Sequence, residues 1–202
     1  MVNMQKIAVI GCGFVGSTSA FSLIQTGLFS EMVLIDANKE RAEGEAMDLS
    51  HGSAYLTPMK IYAGTYDDIV DAGIIVITAG ANQKPNETRL DLVKKNVNIF
   101  KSIIPEITSR NCEGIILVVS NPVDILTEVT LKLSGFPANR VIGSGTVLDT
   151  ARLKYVLGRH LQVDPRNIHA YIIGEHGDSE LAVWSGASVG GIHINHFCEL
   201  PN

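Results

Sequence analysis

The chain has few cysteines, no long basic stripe and no long apolar run, and each shortage removes a class of protein. Its three cysteines, Cys12, Cys112 and Cys198, are odd in number and far apart. A disulfide framework is therefore not expected, and buried thiols in a reducing, cytoplasmic setting are. Charged residues make up 18% of the 202 residues and the net charge is -5, which speaks against a nucleic-acid partner. The longest apolar runs, GIIVITAG and GIILVV, have strand length and fall far short of the ~20 residues that span a bilayer. No membrane segment is expected. Lys6 ahead of IAVIGCGFVG, with STSA behind it, has the outline of a signal peptide, but three glycines interrupt the apolar part. In the tail HINHFC, residues His193, His196 and Cys198 lack a fourth ligand and the tight spacing of a zinc site. No metal is expected.

What the chain does have is a 46% apolar content with 19 glycines, which suits a globular α/β protein. Val- and Ile-rich runs recur at 6–11, 31–36, 60–64, 73–80, 114–121 and 140–145, and such near-continuous runs predict parallel strands buried on both faces. Between them lie helical patterns. The clearest sets Leu90, Val93, Val97, Phe100, Ile104 and Ile107 on one face, with Asp91, Lys94, Lys95, Asn98 and Lys101 toward solvent. Alternation of this kind predicts a doubly wound parallel sheet. Past Gly145 the pattern changes: 146–162 reads as a helix, VDPRN as a turn and 168–174 as one strand. A domain boundary is expected there, giving 1–145 and an incomplete 146–202, and the tail reads as cut off. Met47, in AMDLSHG, is expected in the core.

GCGFVG places Gly11, Gly13 and Gly16 between a predicted strand and a predicted helix, and Asp36 closes the next strand 20 residues after Gly16. This is the dinucleotide-binding fingerprint of a Rossmann domain. One glycine serves the turn, one the approach of backbone to a pyrophosphate, one the helix packing, and the acid takes the ribose hydroxyls. Asp36 would repel a 2′-phosphate, so NAD is favoured over NADP, although Arg41 five residues on could accommodate phosphate. Polar residues also gather at predicted carboxyl ends of strands: Gln83, Arg89, Asn121, Asp149, Arg152 and His176.

The segments GCGFVG, VLIDAN, MDLSHGS, TAGANQKPNETRLDLV, VVSNPVDILT, GSGTVLDTARL and IIGEHGDSELAVWSG together resemble the bacterial L-lactate dehydrogenases, within the wider lactate/malate dehydrogenase family. The resemblance covers almost the whole chain. It implies that 146–202 begins an α+β substrate domain, and that His176 is the acid/base that takes the hydroxyl proton of L-lactate and returns it when pyruvate is reduced. Asp149 would orient the imidazole, and Arg152 would hold the substrate carboxylate by a two-pronged pairing. Arg89 would polarise the substrate carbonyl as the 81–88 loop closes, and Asn121 would bond the reacting oxygen or seat the nicotinamide. Further cofactor contacts implied in this way are Val15, Tyr66, Gly80, Ala81, Val119 and Ser144.

In the related malate enzymes an arginine stands at the position of Gln83 and pairs the second carboxylate of oxaloacetate. Glutamine there implies pyruvate, because a buried carboxylate facing only an amide is poorly compensated. Lys84 turned inward would relax that preference. Resemblance also points to fructose 1,6-bisphosphate as an activator near a subunit interface. His169 matches that site, while Lys154 stands where the activated enzymes carry arginine. Intact relatives are implied to be tetramers. The readings that compete are a malate dehydrogenase and an inactive NAD-binding fragment.

Overall fold

Six Val- and Ile-rich segments form one parallel sheet. They are β1 (Asn3–Ile10), β2 (Glu31–Ile35), β3 (Lys60–Ala63), β4 (Ala72–Ile77), β5 (Ile115–Val118) and β6 (Val141–Gly143), in the order β3-β2-β1-β4-β5-β6. The computed structural model describes residues 1–82 and 87–199. Gln83, Lys84 and the middle of the 81–88 loop lie outside the described residues. The chain divides into two compact units, Met1–Gly143 and Ser144 onward.

Alternation along the strands sets the layers of the first unit. Ile7 and Val9 of β1 and Met32 and Leu34 of β2 pack with Ala20 and Ile24 of α1 (Phe14–Thr26) and with Ala42, Ala46 and Leu49 of α2 (Lys39–Gly52). Their neighbours Ala8, Ile10, Val33 and Ile35 point the other way, onto Phe100, Ile104 and Ile107 of α3 (Arg89–Thr108) and Leu126 of α4 (Val123–Ser134). A sheet covered on both faces needs apolar residues at every strand position, which is why the runs are continuous. The strand order runs outward in opposite directions from β1 and β4. The connections leaving their carboxyl ends therefore run to opposite faces of the sheet and leave a crevice between them, the doubly wound Rossmann arrangement.

Helix ends follow local chemistry. Thr88 and Asp91 form a reciprocal capping box at the start of α3, and Asn38 caps α2 by accepting the Arg41 N–H. By contrast α1 starts at Gly13 with no side-chain cap, so its first N–H groups remain available to an anion.

Two helical expectations need correction. Leu90 is 61% exposed, and the buried positions of α3 are Asn96, Phe100, Ile103, Ile104 and Ile107. Phe100, Ile104 and Ile107 of the expected stripe are buried and Val97 packs against the same core, while Asn96 and Ile103 complete the buried face. Met47 is 60% exposed. The core face of α2 is set by Ala42, Ala46 and Leu49, spaced i, i+4, i+7, and Met47 falls off it into a shallow groove beside Glu43, His51 and Tyr62. Of the thiols, Cys12 and Cys112 are buried and Cys198 is exposed, which corrects the expectation for the third.

A cluster of charges links β1, β2 and the start of β4. Lys6, only 8% exposed in its side chain, pairs with Asp71 at 2.8 Å and Glu31 at 3.2 Å, while the Tyr62 hydroxyl donates to Glu31 at 2.8 Å. Burial alone would lower the Lys6 pKa, but the hydrogen bonds to Asp71 and Glu31 outweigh it and raise it.

In the second unit α5 (Val147–Leu161) lays Leu153, Leu157 and Leu161 against Ile168, Ala170, Ala187, Val189 and Ile194. Five two-residue strands follow: β7 (Ile168–His169), β8 (Ile172–Ile173), β9 (Leu181–Ala182), β10 (Ser188–Val189) and β11 (Ile192–His193). A short helix, α6 (Ile194–Phe197), closes the tail. The single strand expected at 168–174 is broken in two, with β7 pairing β10 and β8 pairing β9. The backbone of Ile172 explains the break. Its N–H donates to Thr150 Oγ1 at 2.9 Å and its carbonyl accepts from Thr146 Oγ1 at 2.6 Å, so α5 and the residue before it take the groups a continuous ladder would use. Among the described residues no helix is long and apolar enough to cross a membrane.

Candidate functional site

The junction of β1 and α1 holds three glycines in three different situations. Gly11 sits at φ +103°, and a Cβ there would lie 2.5 Å from the Ala79 nitrogen. At Gly16 a Cβ would stand 1.8 Å from the Gly11 carbonyl oxygen, so this glycine lets α1 close onto the turn. Gly13 has open space around a would-be Cβ and lines the cleft. Packing does not require glycine at position 13, but a ligand pressed against the backbone would.

That cleft, of about 500 Å³, is lined by Gly11, Gly13, Asp36, Arg41, Tyr66, Thr78, Ala79, Gly80, Ile99 and Ser102, among others. Asp36 is fixed at its rim: Oδ2 accepts the Cys12 N–H at 2.7 Å and Oδ1 accepts the Asn38 N–H at 2.8 Å. Burial, reinforced by Asp36, pushes the Cys12 thiol up to about 12, so it stays protonated and serves as packing. Burial likewise raises the Tyr66 phenol.

Past Thr78 and Gly80 lies a second cleft of about 230 Å³, lined by Val15, Gly80, Ala81, Asn82, Val119, Ser120 and Asn121, with Leu92 and Asn96 behind. The Ser120 hydroxyl donates to the Ala79 carbonyl at 2.7 Å. Asn96 is 2% exposed. Its Oδ1 accepts the Ala81 N–H at 2.8 Å and its Nδ2 donates to the Asn121 carbonyl at 2.7 Å. Arg89, the first residue of α3, is exposed.

In the second unit Asp149 occupies the first turn of α5 and is 6% exposed, a position where the helix dipole favours negative charge. Its Oδ2 lies 2.5 Å from His176 Nδ1, and its Oδ1 accepts from an Arg152 terminal nitrogen at 3.2 Å. A carboxylate facing Nδ1 keeps the hydrogen on that nitrogen. The Arg152 side chain is 65% exposed. Lys154 is half-buried on α5 and His169 is exposed in β7. Ser144 opens this unit, its carbonyl accepting the Val147 N–H at 3.2 Å.

Donor atoms of Asp149, His176 and Glu180 lie within 4.8 Å of one another. The 2.5 Å contact between Asp149 and His176 is a hydrogen bond, closer than two ligands ~2.1 Å from a shared ion would stand. The geometry is that of an oriented imidazole.

Sequence reasoning missed Thr78, Asn96, Ile99, Ser102 and Ser120. The α3 residues had one available signal: Asn96 falls i, i+4, i+7 with Phe100 and Ile103, a polar residue on the core face.

Residues 5–143 match the family described as lactate/malate dehydrogenase, NAD binding domain, and residues 146–201 match its alpha/beta C-terminal domain. The chain is 60% identical over 199 residues to L-lactate dehydrogenase 1 of Clostridium acetobutylicum, covering 98% of this chain and 64% of that protein. It is 61% identical over 193 residues to the L-lactate dehydrogenase of Priestia megaterium, covering 96% of this chain and 61% of that one. A solved lactate dehydrogenase from a Medee basin deep-sea metagenome library superposes with a TM-score of 0.95 at 50% identity, over 100% of this chain and 64% of that one. The ligand-bound minor L-lactate dehydrogenase of Enterococcus mundtii gives 0.93 at 49%, over 97% and 63%. The chain thus spans somewhat under two thirds of the length of these relatives. The first unit fits NAD on its own geometry, with an open glycine at an uncapped helix start and a fixed carboxylate on the same cleft. Matched along both of its units, the chain belongs to the lactate/malate dehydrogenase family.

Proposed function

We propose that the chain carries the cofactor site and the acid/base pair of an L-lactate dehydrogenase, interconverting L-lactate and pyruvate in the cytoplasm. The observation that carries this reading is the 2.5 Å contact between His176 Nδ1 and the buried Asp149 carboxylate, in a chain whose other unit has a cleft lined by Gly11, Gly13 and Asp36.

When bound, NAD supplies the hydride acceptor or donor. Gly13 and the open start of α1 would take the pyrophosphate, and Asp36 the adenosine ribose, beside Arg41 and Tyr66. Val15, Gly80, Ala81, Val119, Asn121 and Ser144 would serve the remainder of the cofactor. His176 would receive the lactate hydroxyl proton at Nε2, because Asp149 keeps the hydrogen on Nδ1, and would return it to the carbonyl oxygen of pyruvate. Asp149 stabilises the imidazolium formed on the way. Arg152 would swing part of its guanidinium from Asp149 to the substrate carboxylate, for which its exposure leaves room. Arg89 would polarise the carbonyl and Asn121 would bond the reacting oxygen.

Gln83 would set the preference for a neutral methyl over a second carboxylate. Lys154 and His169 would receive fructose 1,6-bisphosphate, and association would be to a tetramer. Loss of NADH absorbance with pyruvate and, separately, oxaloacetate tests the substrate assignment. Pyruvate turning over at least tenfold faster is expected, and faster turnover of oxaloacetate would make the chain a malate enzyme.

A further inference from the structure

Asn96 sits on the buried face of α3, where every other buried position is apolar. A buried amide there must have its polar atoms satisfied, and both partners are backbone groups at the carboxyl edge of the sheet. The Ala81 N–H comes from the segment leaving β4, and the Asn121 carbonyl from the segment leaving β5. Each partner admits only one end of the amide, so its orientation is fixed: oxygen to Ala81, nitrogen to Asn121.

The two segments joined in this way line the second cleft, and Asn96 lies against it. Among the described residues, the first cleft, with Asp36, Arg41 and Tyr66, shares only Thr78 and Gly80 with the second. A dinucleotide with its adenosine ribose on Asp36 and its pyrophosphate at Gly13 would send its other nucleoside past Gly80 into that second cleft. We propose that Asn96 is a positioning residue for the nicotinamide half of the cofactor, clamping the Gly80–Ala81 and Asn121 segments at a fixed separation while leaving the adenosine half untouched. This rests on the reading of the chain as an NAD enzyme.

Asn96→Asp is close to isosteric but sets a carboxylate oxygen against the Asn121 carbonyl, and Asn96→Ser is smaller and removes both contacts. Dissociation constants for NADH and for ADP, which lacks the whole nicotinamide nucleoside, are measured by titration calorimetry on the full chain and both variants, with thermal melts to identify folded samples. In whichever variant folds, the NADH constant should rise about tenfold and that for ADP should stay within about twofold. Equal weakening of both ligands, as from general loosening of the fold, would overturn the proposal, as would no weakening of either. Failure of the unsubstituted chain to bind NADH would instead overturn the NAD reading, and this proposal with it.

Discussion

The backbone N–H of Cys12 donates to Asp36 Oδ2 at 2.7 Å. A carboxylate at the end of β2 is therefore tied to the glycine loop at the end of β1 before any ligand arrives, and its second oxygen is held by the Asn38 N–H at 2.8 Å. Such preorganisation suits the acid to its proposed role of selecting NAD over NADP. Asp36→Asn keeps an acceptor for the loop but removes the charge that would repel a 2′-phosphate. The ratio of NADPH to NADH dissociation constants should fall at least fivefold. An unchanged ratio would show that Asp36 does not set cofactor choice.

Gly13 and Gly16 should respond differently to alanine. Gly13→Ala adds a methyl where nothing lies within 4 Å, so the melting temperature should hold while NADH binding weakens about tenfold or more, the cleft being partly filled. Gly16→Ala drives a carbon into the Gly11 carbonyl at 1.8 Å and should destabilise the fold by about 1–3 kcal/mol. If Gly13→Ala bound NADH normally, the open glycine would not be a ligand cradle.

Asp149→Asn tests the orientation of His176. An amide in place of the carboxylate can offer its own N–H to Nδ1 and reverse the tautomer, and it no longer balances an imidazolium. Pyruvate turnover should fall by about 10³-fold or more with the NADH dissociation constant unchanged. A loss of less than tenfold would mean that the 2.5 Å contact is structural alone.

The Lys6 cluster predicts an acid-sensitive contribution to stability. Burial alone would raise the Glu31 pKa, but hydrogen bonds from Tyr62 and Lys6 reverse this and hold it below the usual carboxylate range. The hydrogen bond from Lys6 lowers Asp71 in the same direction. With folded values below unfolded ones, the unfolded chain binds protons first on acidification. The contribution is therefore present above the usual carboxylate pKa, near pH ~4, and is lost as pH falls through the lower folded values. Glu31→Gln should cost about 1–3 kcal/mol at pH 7, since Lys6 loses a charged partner, and the difference in urea midpoint should shrink toward pH 3. A difference independent of pH would contradict the pairing.

Much of the sheet was legible in the sequence because parallel strands buried on both faces need unbroken apolar runs, and β1, β2, β4 and β5 have them. The glycine loop and Asp36 were legible because their chemistry fixes both residue type and spacing. The strand at 168–174 was misread because a seven-residue run, apolar but for His169, looks alike whether it stays in one sheet or changes partner. The change is made by Thr146 and Thr150, 20 or more residues earlier in the chain. Asn96 was legible only as a polar residue on the core face, at i, i+4, i+7 with Phe100 and Ile103. Its partners are 15 and 25 residues away, and no local pattern names them.

The proposed lactate dehydrogenase chemistry needs both the oriented imidazole of His176 and a dinucleotide site on the same chain. Its most direct test is NADH oxidation by pyruvate, followed by absorbance, for the chain and for His176→Gln at matched NADH saturation. Steady turnover by the chain is expected, with a loss of about 10³-fold or more in the variant and NADH still bound. Turnover that survives the substitution, or a folded chain that binds NADH and turns over no pyruvate at all, would contradict it.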